Sequence, residues 1–177
     1  MPKNILLTGH PRVGKTTLLK NILERLGNLA LSGFYTEEVI ERDVRVGFRA
    51  VTLSGSSAVF AHKDFQTDPR HRLGRYGVRP ELLEQLVLSH LDPLRKEADL
   101  IVVDGISKME LLSQLFRERL LETLDSTCPT LGTISLKGTG LIKRIQQRPD
   151  VQLFTLTRKN RSSLGGEVLR KLHEHLD

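Results

Sequence analysis

Residues 9–17, Gly9-His10-Pro11-Arg12-Val13-Gly14-Lys15-Thr16-Thr17, fit G-x-x-x-x-G-K-[ST] without a gap and directly follow the apolar run of residues 5–7. The pattern works only where a strand feeds a tight turn that opens a helix, so it constrains the fold more than any other feature of the chain. Backbone N–H groups of such a turn converge on phosphate oxygens, and the helix turns its positive N-terminal end toward the same anion. Gly9 and Gly14 allow backbone conformations that a Cβ would penalise. In this pattern Lys15 reaches the β- and γ-phosphates, and the hydroxyl of Thr16 sits on Mg²⁺. After the loop, Leu18, Leu19, Ile22, Leu23 and Leu26 recur at helical spacing, and Gly27 stands where a C-terminal cap belongs. One helix face is therefore buried and anchors the loop.

Leu100-Ile101-Val102-Val103 is a continuous apolar run ending in Asp104, the pattern of a strand buried on both faces. In a chain that already has a phosphate loop, a carboxylate at the end of such a strand reads as the Walker B acid that holds Mg²⁺. Thr16 and Asp104 are thus the expected metal residues.

The 177 residues suit one α/β domain spanning residues 1–177. No apolar run is long enough to cross a bilayer or to serve as a signal segment, so a soluble, cytoplasmic protein with no membrane partner is expected. The single cysteine, Cys128, cannot form an internal disulfide and is assigned no chemistry. A net charge of +6 raises nucleic acid as a partner, but a positive field equally suits a polyphosphate site. With no Trp and two Tyr, base-stacking material is scarce, and nucleic acid is the weaker expectation. His173 and His175 lie two apart and face different sides of a helix, so they form no metal pair. All six histidines are read as surface or loop residues, except His10 inside the phosphate loop.

Along the chain, strands are expected at residues 29–36, 45–53 and 58–61, with turn-sized spacers that make an antiparallel meander near residues 31–62. Residues 63–75 carry Lys63, Arg70, His71, Arg72 and Arg75 with Pro69 and Gly74, and read as a mobile basic loop. A helix is expected over 80–91, extended weakly beyond Pro93, and others over 113–124, through residue 147 and from about Ser163, the last weakened by Gly165-Gly166. Strands at 130–134 and 151–156 complete an alternation that specifies an α/β fold with a mainly parallel sheet covered on both faces. Ligands of such sheets collect at the carboxyl ends of the strands.

The loop, Gly33-Phe34-Tyr35-Thr36-Glu37-Glu38-Val39, Gly47-Phe48, Gly74-Arg75-Tyr76-Gly77-Val78, Ser107-Lys108-Met109-Glu110-Leu111 and Asn160-Arg161 together resemble the THEP-type (cancer-related) nucleoside-triphosphatase family from end to end. The resemblance implies a three-layer P-loop NTPase fold and a hydrolase that releases phosphate from several nucleoside triphosphates, slowly and with low base selectivity. It implies nucleotide contacts along the loop, along Ile101, Val102, Val103, Asp104, Gly105, Ile106, Ser107 and Lys108, and at Asn160 and Arg161, which would lie by the base or ribose. One departure matters. The family pattern Asp-Glu-Ile-Gly-Lys-Met-Glu-Leu is here Asp104-Gly105-Ile106-Ser107-Lys108-Met109-Glu110-Leu111, without the acid that polarises the attacking water. Losing a general base costs roughly 10²- to 10⁴-fold in rate. Positioning by Lys15, Mg²⁺ and the loop amides carries most of phosphoryl transfer and would remain. Glu37, Glu38 or Glu110 could orient water instead, with Glu38 preferred because it ends a strand; Lys15, Asp104, Glu38 and Glu110 are the expected catalytic set. Two alternatives stand beside the hydrolase: a degenerate nucleotide-binding switch, and a nucleotide or small-molecule kinase with residues 70–75 as its lid. For a completing arginine, Arg12, Arg75 and Arg161 are the candidates.

Overall fold

The structure, a computed structural model, describes residues 1–92 and 98–176. Its described residues form a nine-stranded sheet in the order β5-β6-β4-β3-β2-β7-β8-β1-β9. Strands β2 (Leu31–Glu41), β7 (Leu100–Ile106), β8 (Thr130–Ile134), β1 (Asn4–Thr8) and β9 (Val151–Thr155) run parallel, and β3 (Val44–Thr52), β4 (Ser57–His62), β6 (Tyr76–Val78) and β5 (Arg72–Leu73) continue the sheet antiparallel.

Alternation along the central strands divides the core into two layers. Ile5, Leu7, Leu100 and Val102 face helices α1 (Lys15–Glu24) and α5 (Arg161–Leu176). Leu6, Ile101 and Val103 face the other layer with α2 (Pro80–Val87), α3 (Gln114–Asp125) and α4 (Leu141–Gln146). Phe34 on β2 meets Phe116 on α3 edge to face at 5.9 Å. Fully burying each such side chain contributes about 1.5–3 kcal/mol, so a sheet covered on both faces holds its carboxyl edge firmly in place. The three-layer α/β reading agrees with this architecture, and so does the meander beside the parallel strands.

Several local expectations change. β2 does not end at Thr36 but runs to Glu41, because its far half pairs with β3 from Phe34↔Thr52 to Glu41↔Val44 after the parallel pairing with β7 stops at Phe34. The result is a hairpin that overhangs the carboxyl edge, with Glu37 and Glu38 inside it. Part of the basic stretch 63–75 is ordered: Asp68 accepts from the Arg70 amide at 2.8 Å to cap a 3₁₀ turn at Pro69–His71, and β5 folds back on β6. α5 starts at Arg161 and is not interrupted at Gly165, where a Cβ would stand 3.2 Å from Leu18 of α1; the glycine permits that close approach. α2 gives way to a 3₁₀ turn at Leu88–His90, and the expected extension beyond Pro93 lies outside the described residues. His62 is not a surface residue: its side chain is 15% exposed and packs on Phe65.

Candidate active site

Four parallel strands deliver their ends to one cleft of about 610 Å³. Its near wall is the loop between β1 and α1. Gly9 has φ +151° and runs so close to the residue after β9 that a Cβ would lie 2.6 Å from the carbonyl oxygen of Leu156, and Gly14, at φ +104°, turns the chain into α1. Leu18 N–H donates to Gly14 O at 2.9 Å, which leaves the first helical amides directed at the loop. Lys15 folds over this cradle, its Nζ donating to Gly9 O at 3.0 Å and His10 O at 3.2 Å. Burial lowers the pKa of its ammonium, and the Asp104 carboxylate opposes that shift. His10, Pro11 and Arg12 are exposed at the mouth.

At the base of the cleft the Thr16 hydroxyl donates to Asp104 Oδ2 at 2.7 Å, joining the loop to the end of β7. Asp104 is 3% exposed, and Thr133 of β8 donates to its other oxygen. Burial raises its pKa, while the Thr133 and Thr16 hydrogen bonds and Lys15 pull it down. A hydroxyl and a carboxylate meeting at the mouth of a phosphate cradle are the hard oxygen donors that a small divalent cation takes alongside nucleotide oxygens. Among the described residues no cluster of three or more His, Cys, Asp or Glu could hold a metal alone. The pairing of β7 with β8 shifts register between Val103 and Ile106, so the ladder opens where Asp104 and Gly105 face the cleft.

Ile101, Val102 and Val103 do not reach this cleft. They are at most 2% exposed within the two core layers, because a strand buried on both faces has no free side chain before its end. Asp104, Gly105, Ile106 and Ser107 line the cleft; Lys108 is exposed outside that lining. Gly105 leaves less room than its missing side chain suggests, since a Cβ there would meet the Thr133 hydroxyl at 2.9 Å.

Glu110 lines the cleft from the 3₁₀ turn after β7 and is 5% exposed. Ser107 donates to its Oε2, and burial, with the neighbouring charge of Asp104, pushes its pKa up to about 7 despite that hydrogen bond. Glu38 has a different setting. It receives Arg45 Nη1 at 2.8 Å and lies 3.9 Å from Arg12 Nε, so its charge is shared between two guanidiniums. The reason for preferring it, a position at a strand end, disappears with the longer β2. Glu37 pairs with Lys20 at 2.9 Å and tethers the hairpin to α1. Arg45, absent from the sequence candidates, lines the cleft on the hairpin side; a long side chain on a strand gives no local signal of the pocket it enters.

A second cavity of about 600 Å³ lies on the outer side of the loop, lined by His10, Pro11, Arg12, Leu136, Leu156 and Arg158 among others. Asn160 and Arg161 do not line it. The Asn160 side chain accepts from Thr157 N at 2.8 Å and donates to Thr155 O at 2.9 Å, closing the turn before α5. Arg161 donates to Val13 O at 2.7 Å and braces the loop from behind.

Residues 4–169 match a family model described as NTPase. The chain is 42% identical over 168 residues to the nucleoside-triphosphatase THEP1 of Thermotoga maritima, covering 95% of this chain and 94% of that protein. It is 39% identical over 187 residues to the cancer-related nucleoside-triphosphatase of Homo sapiens, covering 96% of each. The crystal structure of THEP1 from Aquifex aeolicus superposes with a TM-score of 0.86 at 36% identity, covering 96% of this chain and 98% of that one. No helix among the described residues is long and apolar enough to cross a membrane.

Proposed function

The chain belongs to the NTPase family of the THEP1 and cancer-related nucleoside-triphosphatases, and from that premise we propose that it hydrolyses nucleoside triphosphates to the diphosphate and phosphate, with Mg²⁺, slowly and across several bases. The observation that carries the reading is the 2.7 Å contact of Thr16 with Asp104 beside the loop that holds Lys15. Loop amides and the α1 N-terminus bind the β-phosphate, and Lys15 exchanges the carbonyls of Gly9 and His10 for β- and γ-phosphate oxygens. Thr16 and Asp104 are the residues that would hold Mg²⁺, and the ion would neutralise charge on those oxygens. Glu110 orients the attacking water. Its carboxylate is buried in the cleft with no cation paired to it among the described residues, whereas Glu38 is engaged by Arg45. Water oxygen bonds to the γ-phosphorus as the bond to the β–γ bridging oxygen breaks, and the water proton passes to the Glu110 carboxylate.

The base enters the outer cavity. Pro11 and Leu136 in its lining offer apolar contact that suits any base, which supports broad use of ATP, GTP and pyrimidine nucleotides. Slow turnover follows from Gly105 at the position where the family carries its acid. The test is a panel of ATP, GTP, CTP and UTP followed for released phosphate with Mg²⁺ and with chelator. Release from several nucleotides that stops on chelation is expected. Single-turnover release no greater than that of Lys15→Ala would leave a binding switch, and phosphate appearing only on an added acceptor would make the protein a kinase.

A further inference from the structure

In the transition state of hydrolysis negative charge is spread over the equatorial oxygens of the transferred group and grows on the leaving oxygen, and P-loop enzymes meet it with an arginine supplied from the same chain or from a partner. None of the three arginines the sequence suggests is both inside the cleft and held in place there. Arg161 lies behind the loop on the Val13 carbonyl. Arg75 stands outside the cleft lining and donates to Tyr76 Oη at 3.1 Å and to the backbone carbonyl of Arg45. Arg12 lines the cleft, but its side chain is 70% exposed at the mouth and makes no hydrogen bond among the described residues.

We propose that Arg45, carried by the overhanging hairpin, is the catalytic arginine that contacts the γ-phosphate of the bound nucleotide. The inference rests on the hydrolysis reading above and names the cation that acts on its transition state. Arg45 lines the cleft that also contains Lys15, Thr16, Asp104 and Glu110, and it comes from the opposite wall. Its side chain is 27% exposed and held at several points before any ligand arrives. Nε donates to Tyr76 Oη at 3.0 Å, Nη1 donates to Glu38 Oε1 at 2.8 Å, and the guanidinium carbon lies 5.1 Å from the Phe48 ring centre. A guanidinium has five N–H donors, and the Nη2 pair makes no hydrogen bond among the described residues. Those donors are available to a phosphate oxygen.

The backbone aims the side chain. The pairing of β2 with β3 shifts between Val39↔Gly47 and Ile40↔Arg45, leaving Val46 as the extra residue. A bulge bends its strand and redirects neighbouring side chains, and Val46, 1% exposed, fixes this one in the core. Glu38 is a positioning residue in this arrangement: beside Arg45 on the hairpin and 3.9 Å from Arg12 of the loop, its carboxylate holds the guanidinium through Nη1 and leaves the Nη2 donors for the phosphate. Held in advance, the guanidinium loses little entropy when charge develops, which directs its effect to kcat more than to KM.

The experiment measures steady-state kinetics and the Mg²⁺–ADP–aluminium fluoride complex in wild type, Arg45→Ala and Arg45→Lys, with Arg42→Ala, exposed in the turn of the same hairpin, as the control. Arg45→Ala should lower kcat on the order of 10²- to 10³-fold with KM within a few-fold, and should lose the aluminium fluoride complex while still binding ADP. Lysine should recover little, since it lacks the fork. Equal kcat in wild type and Arg45→Ala, or a loss confined to KM, would overturn the assignment, as would loss of ADP binding matched by a lower unfolding midpoint in both variants. A wild type that traps aluminium fluoride in an Arg45-dependent way yet releases no phosphate would defeat the hydrolysis reading and leave the arginine standing. A wild type that releases no phosphate and forms no such complex would defeat both.

Discussion

The two walls of the cleft are built in different ways. The loop wall is one uninterrupted run of nine residues, shaped by Gly9 and Gly14 and by local hydrogen bonds such as Lys15 to Gly9, six positions away, with Thr16 to Asp104 and Arg161 to Val13 tying it to the rest of the fold. The hairpin wall is assembled from Glu38 on β2, Arg45 and Phe48 on β3 and Tyr76 on β6, joined by side-chain bonds across 31 positions from Arg45 to Tyr76. A contiguous cradle can bind phosphate wherever a strand and a helix flank it. The opposite wall exists only when four antiparallel strands pair in register. This predicts a division of labour: substitutions on the loop wall abolish binding, and substitutions around the rest of the cleft change the rate while binding persists.

The largest effect that would separate the two functions is at Glu110, on the floor between the walls. Glu110→Gln should reduce kcat by roughly 10²- to 10⁴-fold and leave nucleotide affinity within a few-fold. A comparable loss of affinity would break the division. In wild type the acid limb of kcat should fall near pH 7, because the carboxylate must be unprotonated to orient water and its pKa is pushed up to about 7. Mg²⁺ on Asp104 should move that limb lower by cancelling the neighbouring negative charge, and Glu110→Gln should remove it. Stability carries the opposite sign. The folded pKa lies above the unfolded value of 4.5, so the native state holds the extra proton and stability falls as pH rises between those values, by about 3 kcal/mol at most. Glu110→Gln should therefore melt higher than wild type at pH 8, a reversal that damage to the fold would not produce.

How much could be read in advance follows the same line. The loop, the acid after residues 100–103 and the alternation of strands with helices are patterns of neighbours in sequence, and each is found where the periodicity puts it. The register of the meander is set by pairing among β2, β3, β4 and β6, so neither the length of β2 nor the cleft-facing Arg45 has a local signature. Asn160 and Arg161 are ambiguous for a related reason: an amide and a guanidinium beside a strand end serve as well to close a turn and brace a loop, the contacts they make here, as to touch a base. Glu110 stood behind Glu38 among the three acids until burial distinguished it from Glu37 and Glu38.

A smaller change sharpens the comparison at the seam between β7 and β8. Restoring the family acid by Gly105→Glu alone should give little gain, because its Cβ would stand 2.9 Å from the Thr133 hydroxyl and disturb the bond from Thr133 to Asp104. Gly105→Glu combined with Thr133→Ala removes the clash and should raise single-turnover phosphate release about tenfold to a hundredfold above Thr133→Ala. If Gly105→Glu alone reaches that level, the seam relaxes more readily than its packing implies. If neither does, the missing acid is not what slows the reaction.

The smallest predicted effect is Tyr76→Phe, which tests whether the hairpin wall acts through its hydrogen bonds or only through its bulk. Tyr76 Oη receives Arg45 Nε at 3.0 Å and both Arg75 Nε and Nη2, while its ring meets Phe48 edge to face at 5.3 Å. Phenylalanine keeps the ring contact and removes the acceptor, so Arg45 loses one restraint and keeps Glu38. One such bond is worth about 1 kcal/mol, which predicts a roughly fivefold lower kcat with unchanged nucleotide affinity and a melting temperature within a few degrees of wild type. An unchanged kcat would mean that Glu38 and Phe48 are enough to aim the guanidinium. A loss as large as that of Arg45→Ala would mean that the wall behaves as a single unit, because partial release of the arginine would then cost as much as its removal.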